Sequence, residues 1–166
     1  NGHHLTEDHV FAALDGAVSG PIEEGSVGGG TGMSTFEFKA GSGTASRRIR
    51  WGGETFTLGV FVQSNFGKRR NLMIRGHRAG ADLVEPRPVE RTARAEKSSI
   101  IAIVATDAAL DKAALTRLAT AAQDGMARAI VPSHTPFDGD LVFAVSTGNS
   151  RLAGGYFSRS GKPAPS

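Results

Sequence analysis

The run SSIIAIVA, Ser98 to Ala105, is apolar on both faces. A strand with one wet face alternates apolar and polar residues, whereas a run without alternation must be covered above and below. This segment is therefore expected to be the central strand of a sheet. Around it, Glu54 to Gln63 alternates, with Phe56, Leu58, Val60 and Val62 on one face. Ser34 to Lys39, Arg47 to Trp51, Asn71 to Ile74 and Leu141 to Ser146 read as further strands. Thr6 can cap a helix carrying Val10, Phe11, Leu14, Ala17 and Val18, which Gly20-Pro21 would end. Asp107 or Asp111 can cap a second helix, with Leu110, Ala114, Leu115, Leu118, Ala121, Ala122, Met126 and Ile130 along one side. Strands with hairpin-length links and two packing helices predict a layered α+β domain.

The 166 residues suit a single domain, 1–166. Residues 77–97 are polar and charged and contain two prolines, which reads as a mobile surface loop. Residues 150–166 offer little to pack and read as a poorly ordered tail. The absence of cysteine excludes disulfides, thiolate catalysis and cysteine-bound zinc. No apolar run approaches the ~20 residues of a membrane span, so no membrane partner is expected. The chain opens on Asn1 without Met, and its upstream end is expected to be missing or processed off. The expected compartment is the cytoplasm, with the periplasm as the alternative.

Glycine is the compositional outlier, at 22 of 166 residues, well above the usual ~7%. The block GGGTGM, Gly28 to Met33, lacks the lysine of a phosphate-binding loop and no βα unit surrounds it. It reads as a structural turn or as a wall of a substrate cleft, with Gly29, Gly30 and Thr31 toward substrate. His3, His4 and His9 do not share one helix face, so they read as a solvated helix start and no metal is expected. The basic runs at 47–50, 68–70 and 87–97 lack interleaved aromatics, so they read as solvated loops and no nucleic-acid partner is expected.

The stretch AIVPSHTPFDGDLVFAVSTG, Ala129 to Gly148, puts two hydroxyls, an imidazole and two carboxylates at the mouth of a strand. Serine, histidine and aspartate adjacent in sequence do not make a triad, whose members meet in space. A threonine before a strand can instead be freed as a new N-terminus. Its hydroxyl is then the nucleophile and its own α-amine, pKa ~8, the base. On pattern alone the segment reads rather as an ordinary helix-to-strand loop, with Asp138-Gly139 as its turn. Asn65, ending the strand LGVFVQSN, reads either as a turn residue or as a polar group aimed into a cleft.

Five blocks together resemble the DmpA-type aminopeptidases, the L-aminopeptidase/D-esterase family that includes β-peptidyl aminopeptidases and endo-type nylon-oligomer hydrolases. They are SGPIEEGSVGGGTGM, FEFKAGSGTASR, LGVFVQSNFGKRRNL, SIIAIVATDAAL and HTPFDGDLVFAVSTG, spanning Ser19 to Gly148 in the family's order. The resemblance implies an αββα sandwich of the DmpA/ornithine-acetyltransferase type, like that of N-terminal nucleophile hydrolases. It implies self-cleavage before a Ser or Thr, hydrolysis of short peptides or amides, and no cofactor. The matching nucleophile is Thr135, with the cut at His134-Thr135 and Ser133 as a weaker candidate. Asp138 stands where other members carry the nucleophile of an SGD motif. Asn65 is implied as an oxyanion donor or substrate contact. Lys39 is implied as a group that holds a carboxylate or orients Thr135. Pro136 has no N–H to offer an oxyanion, which puts more of that task on side chains such as Asn65.

Family chains usually begin further upstream and continue well past the nucleophile. The expectation is therefore an incomplete chain that assembles with copies of itself or with a complementing chain. Two rivals share the sequence features: an acyltransferase of the ornithine-acetyltransferase type, and an uncut relative that only binds or assembles.

Overall fold

The computed structural model describes residues 4–83 and 98–150. Their main feature is a four-stranded sheet whose strands lie side by side in chain order. Strand β3 is Ser42–Trp51, β4 Glu54–Asn65, β5 Ser99–Ala108 and β6 Leu141–Ser150. The pairs β3/β4 and β4/β5 are antiparallel, and β6 runs parallel to β5. Strand β5 is thus interior to the sheet, as its sequence demands. The β3/β4 hairpin turns at Gly52-Gly53, both at positive φ, which glycine adopts at no steric cost.

Helix α3, Lys112–Ala129, bridges β5 to β6 and lies on one face of the sheet. Asp111 is its cap, its Oδ1 accepting from the Ala114 N–H at 2.8 Å. Under the helix, β5 buries Ile100, Ala102 and Val104, with Met126 contributed by the helix. The core continues into Phe36 and Phe66, whose rings meet edge to face at 4.7 Å. An apolar groove of about 460 Å³ remains between α3 and β4, lined by Leu58, Val60, Val62, Leu118 and Met126.

Among the described residues the opposite face of the sheet is uncovered. Ile101 and Ile103 of β5 lie in register with Leu141 and Phe143 of β6. All four are exposed, Phe143 by 58%. Strand β5 therefore has the two apolar faces its sequence shows, but only one is packed among the described residues.

Several local expectations change. Ser34 to Lys39 is not one strand but a small hairpin of β1, Ser34–Thr35, and β2, Phe38–Lys39. Phe36 and Glu37 take φ of 50° and 63° at its turn, a conformation neither residue type announces. Asn71 to Ile74 is not a strand. A 3₁₀ turn, Arg69–Asn71, takes its first residue, and Ile74 makes only an isolated bridge to His77. Helix α1, Glu7–Asp15, stops at Gly16 rather than at Gly20-Pro21. Its start uses His9, whose Nδ1 accepts from the Thr6 N–H at 3.1 Å.

Arg69 is not solvated but 4% exposed, with its guanidinium 4.2 Å from the centre of the Phe38 ring. Its Nη2 donates to the Glu37 carbonyl. Of the expected loop 77–97, residues 79–82 form a one-turn helix, α2, Ala79–Asp82, with Gly80 buried against Arg69. Residues 84–97 lie outside the described residues, as does 151–166 of the expected tail. Residue 150 ends β6 rather than opening that tail. No helix among the described residues is long and apolar enough to cross a membrane.

Candidate active site

Three strands bring polar residues to one end of the sheet. Strand β4 ends there at Asn65, β5 begins at Ser99 opposite it, and β6 begins at Leu141. The loop before β6 carries Ser133 to Asp140. It is stitched to the start of β5 by the Gly139 N–H, which donates to the Ser98 carbonyl at 2.9 Å.

Thr135 is half-buried in this loop. Its N–H donates to Asp138 Oδ2 at 2.7 Å, and the Asp138 N–H returns to the Thr135 carbonyl at 2.9 Å. Thr135 Oγ1 accepts from the Phe137 N–H at 3.4 Å. Pro136 cannot donate, so the nearest main-chain donor beyond the threonine is two residues on. Asp138 also accepts from the Ser98 hydroxyl. His134, just before Thr135, sits at φ 55°, in the left-handed region that residues other than glycine rarely adopt. Its N–H donates to Asp140 Oδ2 at 3.1 Å, and its Nδ1 lies 3.1 Å from the same oxygen.

Partial burial raises the Asp138 carboxyl. The hydrogen bonds from Ser98 and Thr135, with the nearby His134, outweigh it and hold the group below its ordinary value. A depressed carboxyl stabilises the fold above its unfolded pKa of ~3.9, and that contribution is lost as pH falls through the lower folded value. Asp138→Asn is accordingly expected to cost about 1 kcal/mol or less near neutrality, because the site is partly open to solvent. The gap to wild type should shrink as the solution is taken below ~pH 4. Thermal melts of both proteins between pH 7 and pH 2 check this, and a gap that stays constant would refute it.

The other predicted residues gather at the same end in a second group. Asn65 Oδ1 accepts from the Ser34 N–H at 3.3 Å, which fixes the plane of the amide. Lys39 is exposed, and its Nζ donates to the Thr31 carbonyl at 2.6 Å. Thr31 belongs to the 3₁₀ turn Gly28–Gly32. Gly30 in that turn is buried, and a Cβ there would stand 2.5 Å from the Gly25 carbonyl. It serves close backbone packing, while Gly29 and Thr31 are exposed. Ser133 lies two residues before Thr135 in the first group and is half-buried. The sequence reading gave Asp138 a turn and the place of the SGD-type nucleophile, and gave Asp140 and Ser98 no role. The Asp-Gly-Asp spacing two residues after Pro136 was the only available signal for them.

A model of the family described as Peptidase family S58 matches residues 1–161. The chain belongs to peptidase family S58. The expected resemblance to DmpA-type aminopeptidases is therefore borne out. The chain is 44% identical over 136 residues to the β-peptidyl aminopeptidase BapA of Sphingosinicella xenopeptidilytica, covering 76% of this chain and 34% of that protein. It is 30% identical over 155 residues to the 6-aminohexanoate-oligomer endohydrolase of an Agromyces species, covering 82% of this chain and 43% of that one. Among solved structures it matches the L-aminopeptidase D-Ala-esterase/amidase of Ochrobactrum anthropi, with a TM-score of 0.74 and 40% identity. That match covers 99% of this chain and 42% of the other. The Ochrobactrum enzyme is described as a prototype of the serine aminopeptidases and a new variant of the Ntn hydrolase fold. The S58 chain shares that α+β fold and spans less than half the length of these relatives.

Proposed function

We propose that this S58 chain is the part of a self-processing hydrolase that carries its nucleophile, Thr135, and that the enzyme cleaves amide bonds of short peptides or related amides. One observation carries the reading: a threonine at the mouth of β6 in a family of peptidases, directly after a residue in the left-handed conformation. A strained residue at a functional site is a place where conformational energy can assist chemistry.

In processing, Thr135 Oγ attacks the His134 carbonyl carbon. The peptide C–N bond breaks, an ester forms on Oγ, and the hydroxyl proton passes to the departing nitrogen. Water then hydrolyses the ester, leaving a carboxylate on His134 and a free α-amine on Thr135. In turnover the same hydroxyl attacks the substrate carbonyl and the neutral α-amine takes its proton; the substrate C–N bond breaks, the leaving amine takes that proton from the α-amine, and water then hydrolyses the ester to free the acid and restore the hydroxyl. Asn65 Nδ2 stabilises the oxyanion, Lys39 orients the nucleophile or a substrate carboxylate, and the turn at Gly29 and Thr31 forms a cleft wall. The reaction so written needs no cofactor or metal. Denaturing mass spectrometry of the purified protein tests the cut, and release of amine from short α- and β-peptide amides tests turnover. A protein that stays whole and releases no amine refutes the reading.

The partner reading follows from the open sheet face. Ile101, Ile103, Leu141 and Phe143 form a contiguous apolar patch that water does not favour. We infer that the segments present in longer S58 relatives cover it, with a second copy as the alternative occupant. The 166-residue chain alone should then self-associate in sedimentation at micromolar concentration and bind an apolar dye. A dye-silent monomer would show that the chain closes its own core.

A further inference from the structure

Asp140 stands next to the first residue of β6, whose pairing with Ile101 fixes the backbone there. Its side chain is only 2% exposed. Both of its contacts to His134 fall on one oxygen, Oδ2. The other, Oδ1, is buried and has no hydrogen-bond partner among the described residues. A buried carboxylate left half satisfied is costly, and a role in packing alone would not require it. What the carboxylate does hold is the main-chain N–H and the imidazole of a residue in an unfavourable conformation, at φ 55°. The His134 side chain itself is partly open to solvent, so packing does little to keep it there.

We propose that Asp140 is a positioning residue for self-cleavage: its carboxylate locks His134 in the left-handed conformation and so presents the His134 carbonyl to Thr135 Oγ. The inference rests on the cut before Thr135. The bond formed is the His134 acyl to Thr135 Oγ ester, the bond broken is the His134–Thr135 amide, and Asp140 exchanges no atom with either. On the other side of the scissile bond Asp138 holds the Thr135 N–H. Each of the two residues that share the bond is thus gripped by its own carboxylate. A reacting pair held in near-attack geometry gains rate from orientation, and a misplacement of about 1 Å can cost ~10²-fold.

The test uses glycine, which enters the left-handed region without help. Processing of the full chain is followed by mass spectrometry in wild type, Asp140→Ala, His134→Gly and the double variant. Rates are compared at a temperature where circular dichroism shows every variant folded. Asp140→Ala should slow the cut by ~10²-fold, and adding His134→Gly should restore most of that loss. A side chain that only stabilised the loop would not be replaced by a more flexible residue next to the bond. Equal rates in wild type and Asp140→Ala overturn the inference while the Thr135 reading stands, as does a double variant as slow as Asp140→Ala. If Asp140→Ala does not fold, Asp140→Asn takes its place. Asparagine can still accept the His134 N–H but has no charge for the imidazole, so a partial slowing relieved by His134→Gly supports the inference and an unchanged rate overturns it. A wild-type chain that stays whole refutes the Thr135 reading itself.

Discussion

Thr135→Ala is expected to leave the chain in one piece and without turnover. A methyl group cannot attack the His134 carbonyl, so no ester forms and no α-amine is freed. Both the nucleophile and its base are then missing, and the loss in kcat should be on the order of 10⁶-fold. In the wild-type protein the smaller product should begin Thr-Pro-Phe-Asp on N-terminal sequencing. Thr135→Ser keeps a hydroxyl at the same place and should retain part of the cleavage. The fold should survive both changes, because the loop bonds of Thr135 run chiefly through its main-chain N–H and carbonyl. Cleavage that persists in Thr135→Ala would move the nucleophile elsewhere, Ser133 being the nearest alternative.

Asn65→Ala is expected to lower kcat by ~10²–10³-fold, the usual loss of one oxyanion donor. The Ser34 N–H engages Oδ1 and leaves Nδ2 as the donor an oxyanion needs. Loss of the Ser34 contact also removes a bond to the β1 turn, so thermal melts must accompany the kinetics. A fall in kcat with KM little changed identifies transition-state binding, because a ground-state contact would raise KM. Unchanged kcat would make Asn65 a turn residue after all.

Much of the sheet was legible because its strands carry their own signals. Strand β5 reads as interior from two apolar faces, and β4 reads from alternation. The helix cap was legible only as a choice between Asp107 and Asp111: Asp111 takes it, while Asp107 lies in β5 and accepts from the Thr57 N–H at 2.8 Å. The small hairpin at Ser34 to Lys39 was not legible. Phe36 and Glu37 carry no turn signal, and the contact that accompanies their positive φ, from the Phe36 N–H to the Phe66 carbonyl at 2.8 Å, comes from thirty residues further along the chain. Arg69 looked like one cation of a basic run. Its burial depends on Phe38 and Glu37, some thirty residues away in the chain.

The sequence by itself determined the sheet's central strand, the helix that follows it, the family, and the candidacy of Thr135, Asn65 and Lys39. Those features depend on residue type and local spacing, and local spacing is what a sequence records. Only the tertiary structure decided that Thr135 is held by Asp138, which Ser98 holds in turn, that His134 is left-handed, and that Asp140 grips it. It also left one face of β5 open among the described residues, where the sequence predicts cover on both. The physical reason is common to all of these: the partner comes from another strand or from across a turn, and its effect depends on where the sheet register delivers it. Asp138 meets Ser98 because β5 and β6 start side by side at one end of the sheet, forty residues apart in the chain.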